Sequence, residues 1–148
     1  MADCVFCGIV AGSIPAFMVA SSPAGLAFLD IRPVFKGHVL VIPRPHIVTL
    51  PDMPPADLGE YFRFVQLITA AVPAATQARG TFVAMNNIVS QSVPHLHTHV
   101  VPRTKGDGLR GFFWPRGKYE SDDEATGIAA AVGKEYLRLS VAETGRRE

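Results

Sequence analysis

The chain has little cysteine, little net charge and no long apolar run. Two cysteines in 148 residues are too few for the disulfide framework of a small secreted protein. Fourteen basic and thirteen acidic side chains leave a net charge of +1, which excludes a global field that would recruit nucleic acid or an anionic membrane. No apolar run approaches the ~20 residues of a membrane span, and the first residues lack the features of a secretion signal. We therefore expect a soluble, cytoplasmic protein with neither nucleic acid nor membrane as a partner.

The composition does provide a core, because 48% of the residues are hydrophobic and only 18% are charged. The length predicts one domain, which we assign to residues 1–143, followed by a frayed tail at 144–148. Four short segments rich in β-formers lie between glycines and prolines and are predicted strands: Ala27–Leu29, His38–Ile42, Thr81–Met85 and His95–Val101.

Two segments have helical spacing. The first is predicted over Pro54–Ala75, with Asp52 as N-cap and Pro73 ending or kinking it. Its apolar residues cover more than one face, which indicates a partner as well as a core. The second begins at Ser121, which can cap the helix while Glu124 reaches back. Strands joined by short turns, with helices set apart, predict an α+β domain with a mainly antiparallel sheet.

Three of the five histidines alternate along one predicted strand, at His95, His97 and His99. On a strand they share one face, with neighbours about 7 Å apart. Two adjacent imidazoles can hold a metal, but no carboxylate follows until Asp107. Alternatively, the middle imidazole can attack phosphorus if its second nitrogen is held by an acceptor. Polar residues that can bind phosphate oxygens stand just before the row, at Asn86, Asn87, Gln91 and Ser92.

These motifs resemble those of the histidine triad (HIT) family of nucleotide hydrolases and transferases. Besides the histidine row, the matching blocks are Cys4–Val10, Phe28–Pro33, Gly37–Pro43 with His46, and Gln91–Val93. The resemblance runs from about Asp3 to Arg103. It implies a HIT-like antiparallel sheet of about five strands with a long helix and a C-terminal helix. It also implies a homodimer that acts on a purine nucleotide derivative, such as a phosphoramidate or a dinucleoside polyphosphate.

The resemblance also implies roles for individual residues. His97 would attack the α-phosphorus, with its second nitrogen held by the carbonyl of His95, and His99 would contact the phosphate. Asp30 would accept hydrogen bonds from the ribose hydroxyls, and His38 would orient the histidines from behind. Positioning of the phosphate and leaving group would fall to Gln91, Ser92 and Asn86. The purine slot would be lined by Val5, Phe6, Ile9, Phe28 and Ile31.

The two cysteines form a Cys-x-x-Cys motif at Cys4 and Cys7. From the residues alone it is half of a zinc site, a redox pair or two buried thiols. A structural zinc needs four ligands, so histidines would have to complete it. The resemblance to zinc-binding HIT proteins points to His46 and His95, which predicts a structural zinc and no organic cofactor.

Three features depart from the family pattern: Thr98 replaces an apolar residue, the loop before Gln91 is short, and residues 103–118 are basic and aromatic. The arginines of that segment are candidates for substrate contact, while its aromatic residues favour packing. Two other functions remain open. The histidine row could bind a catalytic metal in a metal-dependent hydrolase, or the chain could be a nucleotide sensor without turnover.

Overall fold

The computed structural model describes residues 4–109 and 118–144, without the side chains of 135–144. The chain forms two compact units, Met1–Gly108 and Leu109–Glu148. The predicted single domain over 1–143 would include both, and it remains a prediction. Of the predicted tail at 144–148, residues 145–148 lie outside the described residues, as do residues 110–117 of the basic aromatic segment at 103–118.

The first unit contains an antiparallel sheet of five strands in the order β1-β2-β3-β5-β4. Its strands are β1 (Met18–Ser21), β2 (Gly25–Leu29), β3 (Val39–Pro43), β4 (Gly80–Ala84) and β5 (Thr98–Arg103). Its helices are α1 (Val5–Val10), α2 (Pro55–Thr76) and a 3-10 turn at Leu50–Asp52. The second unit contains α3 (Asp122–Thr144). The predicted α+β class with about five strands is therefore confirmed.

The sheet has a different apolar cluster on each face. On one face α2 buries Tyr61, Phe64, Val65, Ile68 and Val72 against Val41, Leu96 and Val100. On the other face, Phe6 of α1 packs with Leu26, Phe28, Leu40 and Ile42. Because β2 and β3 are covered on both faces, they consist of nearly continuous apolar residues.

The predicted strand over His95–Val101 begins three residues too early. Regular pairing with β3 starts at Thr98. Before it, the amide of Leu96 donates to the carbonyl of Ile47 at 2.6 Å and the amide of His95 donates to that of Val93 at 2.8 Å. These loop hydrogen bonds keep His95 and Leu96 out of the sheet. The three histidines therefore do not all lie on one strand, and strand alternation does not determine the positions of all of them.

The predicted start of α2 is also wrong. Asp52 lies in the 3-10 turn, where its carboxylate accepts from the amide and hydroxyl of Thr49 at 3.0 and 2.6 Å, and Pro54 occupies the N-cap of α2. Pro73 does not end the helix, which continues to Thr76 and ends before Gln77, a residue with φ 59°. At α3 the predicted cap by Ser121 is present, since the amide of Glu124 donates to the Ser121 hydroxyl at 3.1 Å. The Glu124 carboxylate reaches back one residue further than predicted and accepts from the amide of Glu120 at 2.6 Å.

Among the described residues, no helix combines the length and the apolar character that crossing a membrane requires.

Thr98, the polar residue expected to depart from the family pattern, is satisfied by a side chain of α2. Its hydroxyl lies 2.8 Å from the Tyr61 hydroxyl, which donates to the carbonyl of Val41 at 3.0 Å. Since a carbonyl only accepts, Thr98 must be the donor to Tyr61. Burial raises the pKa of Tyr61 to about 12. The relay fastens α2 to β3 and β5.

We expect Tyr61→Phe to lower the free energy of unfolding by about 1–3 kcal/mol, because it removes the partner of the buried Thr98 hydroxyl and one donor to the carbonyl of Val41. Thr98→Val removes one of those groups, so the double variant should lose less than the sum of the single losses. Urea unfolding of the four proteins measures this coupling. If the two single losses sum to the loss of the double variant within about 0.5 kcal/mol, the Tyr61 and Thr98 hydroxyls do not interact. That result would contradict the hydrogen-bond chain from Thr98 through Tyr61 to Val41.

Candidate active site

The segment 95–97 crosses the end of β3 as an irregular turn, which buries two of the three alternating histidines. His95 is fully buried and His97 is 2% exposed. His99 lies on β5 opposite Leu40 and is half-buried. The rings of His97 and His99 remain adjacent, with centroids 5.0 Å apart. Burial in this turn therefore fixes the orientations of the His95 and His97 rings. On a regular strand, the same rings could rotate about their side-chain bonds.

One hydrogen bond fixes the tautomer of His97. Its Nδ1 lies 2.7 Å from the carbonyl oxygen of His95, and a carbonyl can only accept. His97 Nδ1 therefore carries the proton in the neutral ring and donates it to this bond. Nε2 is left with an unshared electron pair, which is the form of imidazole that can act as a nucleophile.

A second chain of hydrogen bonds fixes the neutral tautomers of His38 and His99. The amide of Val34 donates to His38 Nδ1 at 3.2 Å, so the His38 proton is on Nε2. His38 Nε2 then donates to His99 Nδ1 at 3.0 Å, which leaves the His99 proton on Nε2. Burial lowers the pKa of His38, against an opposing effect of Asp30. Burial, with smaller effects of His97 and His38, lowers the pKa of His99 to about 4.

A cavity of about 380 Å³ lies beside these rings, within the usual size range for small-molecule sites. Phe6 forms one wall: its ring makes edge contacts with His97 and Phe28, at centroid distances of 5.3 and 5.6 Å. Most of the residues predicted for a nucleotide site line this one cavity, namely Val5, Phe6, Ile9, Phe28, Asp30, Ile31, Ser92, His97 and His99.

Two predicted phosphate contacts do not line the cavity. The Gln91 amide group donates to the carbonyl of Val48 at 2.6 Å and accepts from the amide of Ile88 at 2.9 Å. The Asn86 side chain donates to the carbonyl of Ser90 at 3.2 Å. Ile88 and Ser90 have φ values of 71° and 61°, which non-glycine residues adopt at a cost. In this structure both amides therefore hold the short loop in shape, and their contacts with phosphate remain a prediction.

Sequence reasoning missed part of the cavity wall. Additional lining residues are Ile14, Pro15, Ala16, Leu29, Arg32, Leu40 and Val93. Arg32 follows Asp30 by two residues, and its backbone amide donates to the Asp30 carboxylate at 2.8 Å. The sequence signal for Arg32 was its position two residues after Asp30 in the Phe28–Pro33 block. In the basic segment, the Arg103 guanidinium is paired with the Asp107 carboxylate at 2.6 Å. One of the arginines proposed to contact the substrate is therefore already engaged.

A separate cluster next to this cavity has the donors of a metal site. Ligand atoms of Cys4, Cys7, His46 and His95 all lie within 4.8 Å of one another. His95 Nε2 donates to the carbonyl of Pro43 at 3.0 Å, so its Nδ1 has a free electron pair directed at the thiols. Burial and the neighbouring Cys4 raise the pKa of Cys7 in the metal-free chain.

The spacing of this cluster fits a tetrahedral metal ion. Three sulfur–nitrogen distances are 3.2, 3.5 and 3.6 Å. A tetrahedral centre with metal–sulfur bonds of ~2.3 Å and metal–nitrogen bonds of ~2.0 Å separates these atoms by about 3.5 Å. Asp30, His38 and His99 form a second group of side chains that could hold a metal ion. In this group, however, His38 Nε2 and His99 Nδ1 are already joined by a hydrogen bond.

Comparison with known proteins agrees with the geometry. The family model for the HIT domain matches residues 11–106. An adenosine 5'-monophosphoramidase of Schizosaccharomyces pombe is 35% identical over 115 residues, covering 76% of this chain and 84% of that protein. A HIT family crystal structure from Bacillus subtilis has a TM-score of 0.80 at 35% identity, covering 89% of this chain and 96% of that one.

A Zn-bound histidine triad family protein from Mycobacterium smegmatis is also similar, with a TM-score of 0.69 and 36% identity. The alignment covers 90% of this chain and 98% of that one. The match to the HIT model, the similar HIT structures and the three clustered histidines lead to one conclusion: the chain belongs to the histidine triad (HIT) family.

Proposed function

We propose that the protein is a nucleotide hydrolase or nucleotidyl transferase that acts at the α-phosphate of a purine nucleotide derivative through a covalent bond to His97. The observation that carries this proposal is the 2.7 Å hydrogen bond from His97 Nδ1 to the carbonyl of His95. It leaves Nε2 unprotonated in a ring that lines the cavity. A free imidazole nitrogen beside a ligand-sized cavity suits nucleophilic catalysis.

The cavity wall supports a nucleotide as the ligand. Its aromatic and aliphatic side chains, such as Phe6 and Phe28, suit a flat base, while Asp30 offers a carboxylate to the ribose hydroxyls. A related protein named as an adenosine 5'-monophosphoramidase and another named as an adenylylsulfatase favour an adenosine derivative with a substituent on its α-phosphate.

The proposed reaction has two steps. His97 Nε2 forms a bond to the α-phosphorus while the bond to the leaving group breaks, and the leaving group takes a proton from water. In the second step, water forms a bond to phosphorus, its proton is released, and the bond to His97 breaks. Transfer to another acceptor would replace water in that step. Ser92, at the cavity, can donate to a phosphate oxygen.

The first test is trapping of the intermediate with adenosine 5'-phosphoramidate. Intact-protein mass spectrometry after rapid acid quenching should show a mass increase of one adenylyl group, located on His97 by peptide analysis. His97→Gln should show no adduct and should lose at least about 10³-fold in kcat, because nucleophile removal typically costs that much or more. Unchanged metal content and unfolding temperature would show that the variant is folded.

The same experiment separates the alternatives. Full turnover by His97→Gln would overturn the covalent mechanism. Activity that is lost with a chelator while the fold persists, and restored by metal, would favour a metal-dependent hydrolase. Tight binding of AMP with no product over hours would favour a nucleotide sensor.

We also propose that Cys4, Cys7, His46 and His95 bind one structural zinc. Zinc would cross-link α1 to the end of β3 and to the turn before β5. Since His95 contributes Nδ1 to the cluster and its carbonyl to His97, the ion would be structural and outside the reaction.

Metal analysis should find about one zinc per chain in the wild-type protein. Cys7→Ser should lose most of it, and its unfolding temperature should fall by at least about 5 °C, the effect of roughly 1–2 kcal/mol in a domain of this size. His97→Gln is the matched control, because it changes a neighbouring histidine and should retain the metal. Failure of the wild-type protein to bind stoichiometric zinc would contradict the site.

We propose further that the protein is a homodimer formed by α2 and β4. Phe62 and Leu67 on α2 are 40% and 50% exposed, although the same helix buries its opposite face in the core. Val83 is 41% exposed on β4, which is an edge strand of the sheet. Exposed apolar residues next to an open strand edge are typical of a protein interface.

Leu67→Glu should convert the dimer to a monomer in light scattering, since it places a charge in the proposed apolar contact. Circular dichroism would verify that the fold is kept. A wild-type protein that is monomeric at micromolar concentration, or a variant that remains dimeric, would contradict this interface.

A further inference from the structure

Asp30 and His99 are connected behind the cavity wall by one buried imidazole. Both residues line the cavity, while His38 is 3% exposed. His38 Nε2 donates to His99 Nδ1 at 3.0 Å. On the other side of the ring, His38 Nδ1 lies 3.2 Å from the amide of Val34 and 3.6 Å from the Asp30 carboxylate. The two groups therefore compete for the same ring nitrogen.

The two competitors require opposite tautomers. With the Val34 amide donating to Nδ1, His38 has its proton on Nε2 and His99 is a donor at its own Nε2. With Asp30 accepting from Nδ1–H, His38 Nε2 becomes an acceptor, His99 carries its proton on Nδ1, and His99 Nε2 becomes an acceptor. Conversion releases one proton from His99 Nε2 to water, moves one between the rings and takes one from water at His38 Nδ1.

Only one of these states suits a phosphate in the cavity. A His99 ring with Nε2–H can donate a hydrogen bond to an anionic phosphate oxygen or to the leaving group. In the other state it presents an electron pair to the anion. The choice between the states depends on whether the Asp30 carboxylate is free to accept from His38.

We propose that His38 is a positioning residue that couples recognition of the ribose at Asp30 to the protonation site of His99. Ribose hydroxyls that donate to Asp30 engage its carboxylate, so His38 keeps the Val34 amide as its partner and His99 remains a donor at Nε2. The protein would thereby select ribonucleotides in the chemical step as well as in binding. This inference rests on the proposed function for the identity of the ligand.

The direct test is nitrogen-15 NMR of the histidine rings, which distinguishes protonated from unprotonated ring nitrogens. Saturation with AMP should place the His38 and His99 protons fully on Nε2. Saturation with 2',3'-dideoxy-AMP should leave a mixture of tautomers. Identical ring spectra with the two nucleotides at saturation would overturn the proposal. The measurement needs no turnover, so it remains decisive even if no adenylyl-His97 forms.

Kinetics provide a second readout. For the wild-type enzyme, replacing the ribose by 2',3'-dideoxyribose in the phosphoramidate should raise KM and lower kcat at least about tenfold. His38→Gln retains an N–H donor for His99 but has no second tautomer, so the same substrate change should raise KM and leave kcat within about twofold. Lys36→Gln, an exposed change nearby, should keep the wild-type pattern. An equal loss of kcat in His38→Gln and wild type would contradict the coupling.

Discussion

The site depends on the hydrogen bonds made by His95. Its carbonyl accepts from His97, its Nε2 donates to the end of β3, and its Nδ1 is directed at the two thiols. Each bond determines the role of the next group, because a neutral imidazole that donates from one nitrogen can only accept at the other. A fully buried ring thus links the sheet, the two thiols and the ring of His97.

The two faces of the sheet are covered in different ways. The face under α2 contains the larger apolar cluster and the Tyr61–Thr98 hydroxyl pair. The face under α1 is covered by a helix of only six residues, whose Phe6 contacts both the core and His97. A short helix has little stability of its own. The cavity wall therefore includes an element that depends on its tertiary contacts for stability.

Apolar periodicity and turn residues, which are local signals, predicted the α+β class and four of the five strands but not β1. Most of the cavity residues were instead implied by the resemblance to the HIT family. Of the three alternating histidines, His97 and His99 line one cavity. The strand begins only at Thr98, because the amide of Leu96 bonds to the distant carbonyl of Ile47. That contact, like the pairing of Tyr61 with Thr98, joins residues far apart in sequence. The inward orientation of the Gln91 amide depends on a similar distant carbonyl, that of Val48. Hydrogen-bond direction, which defines every tautomer here, is a property of the folded chain alone.

The loop at 87–91 contains two residues, Ile88 and Ser90, in the left-handed backbone conformation that glycine adopts most easily. Ile88 is β-branched and Ser90 has a short polar side chain, so each position costs free energy that glycine would not. Anchoring by Gln91 offsets that cost in the folded protein. The conformation of the loop is consequently held in the folded chain by these side-chain hydrogen bonds and not by the backbone freedom of glycine. Glycine at either position would remove that cost, but the loop could then reach more backbone conformations, and anchoring it would cost more entropy.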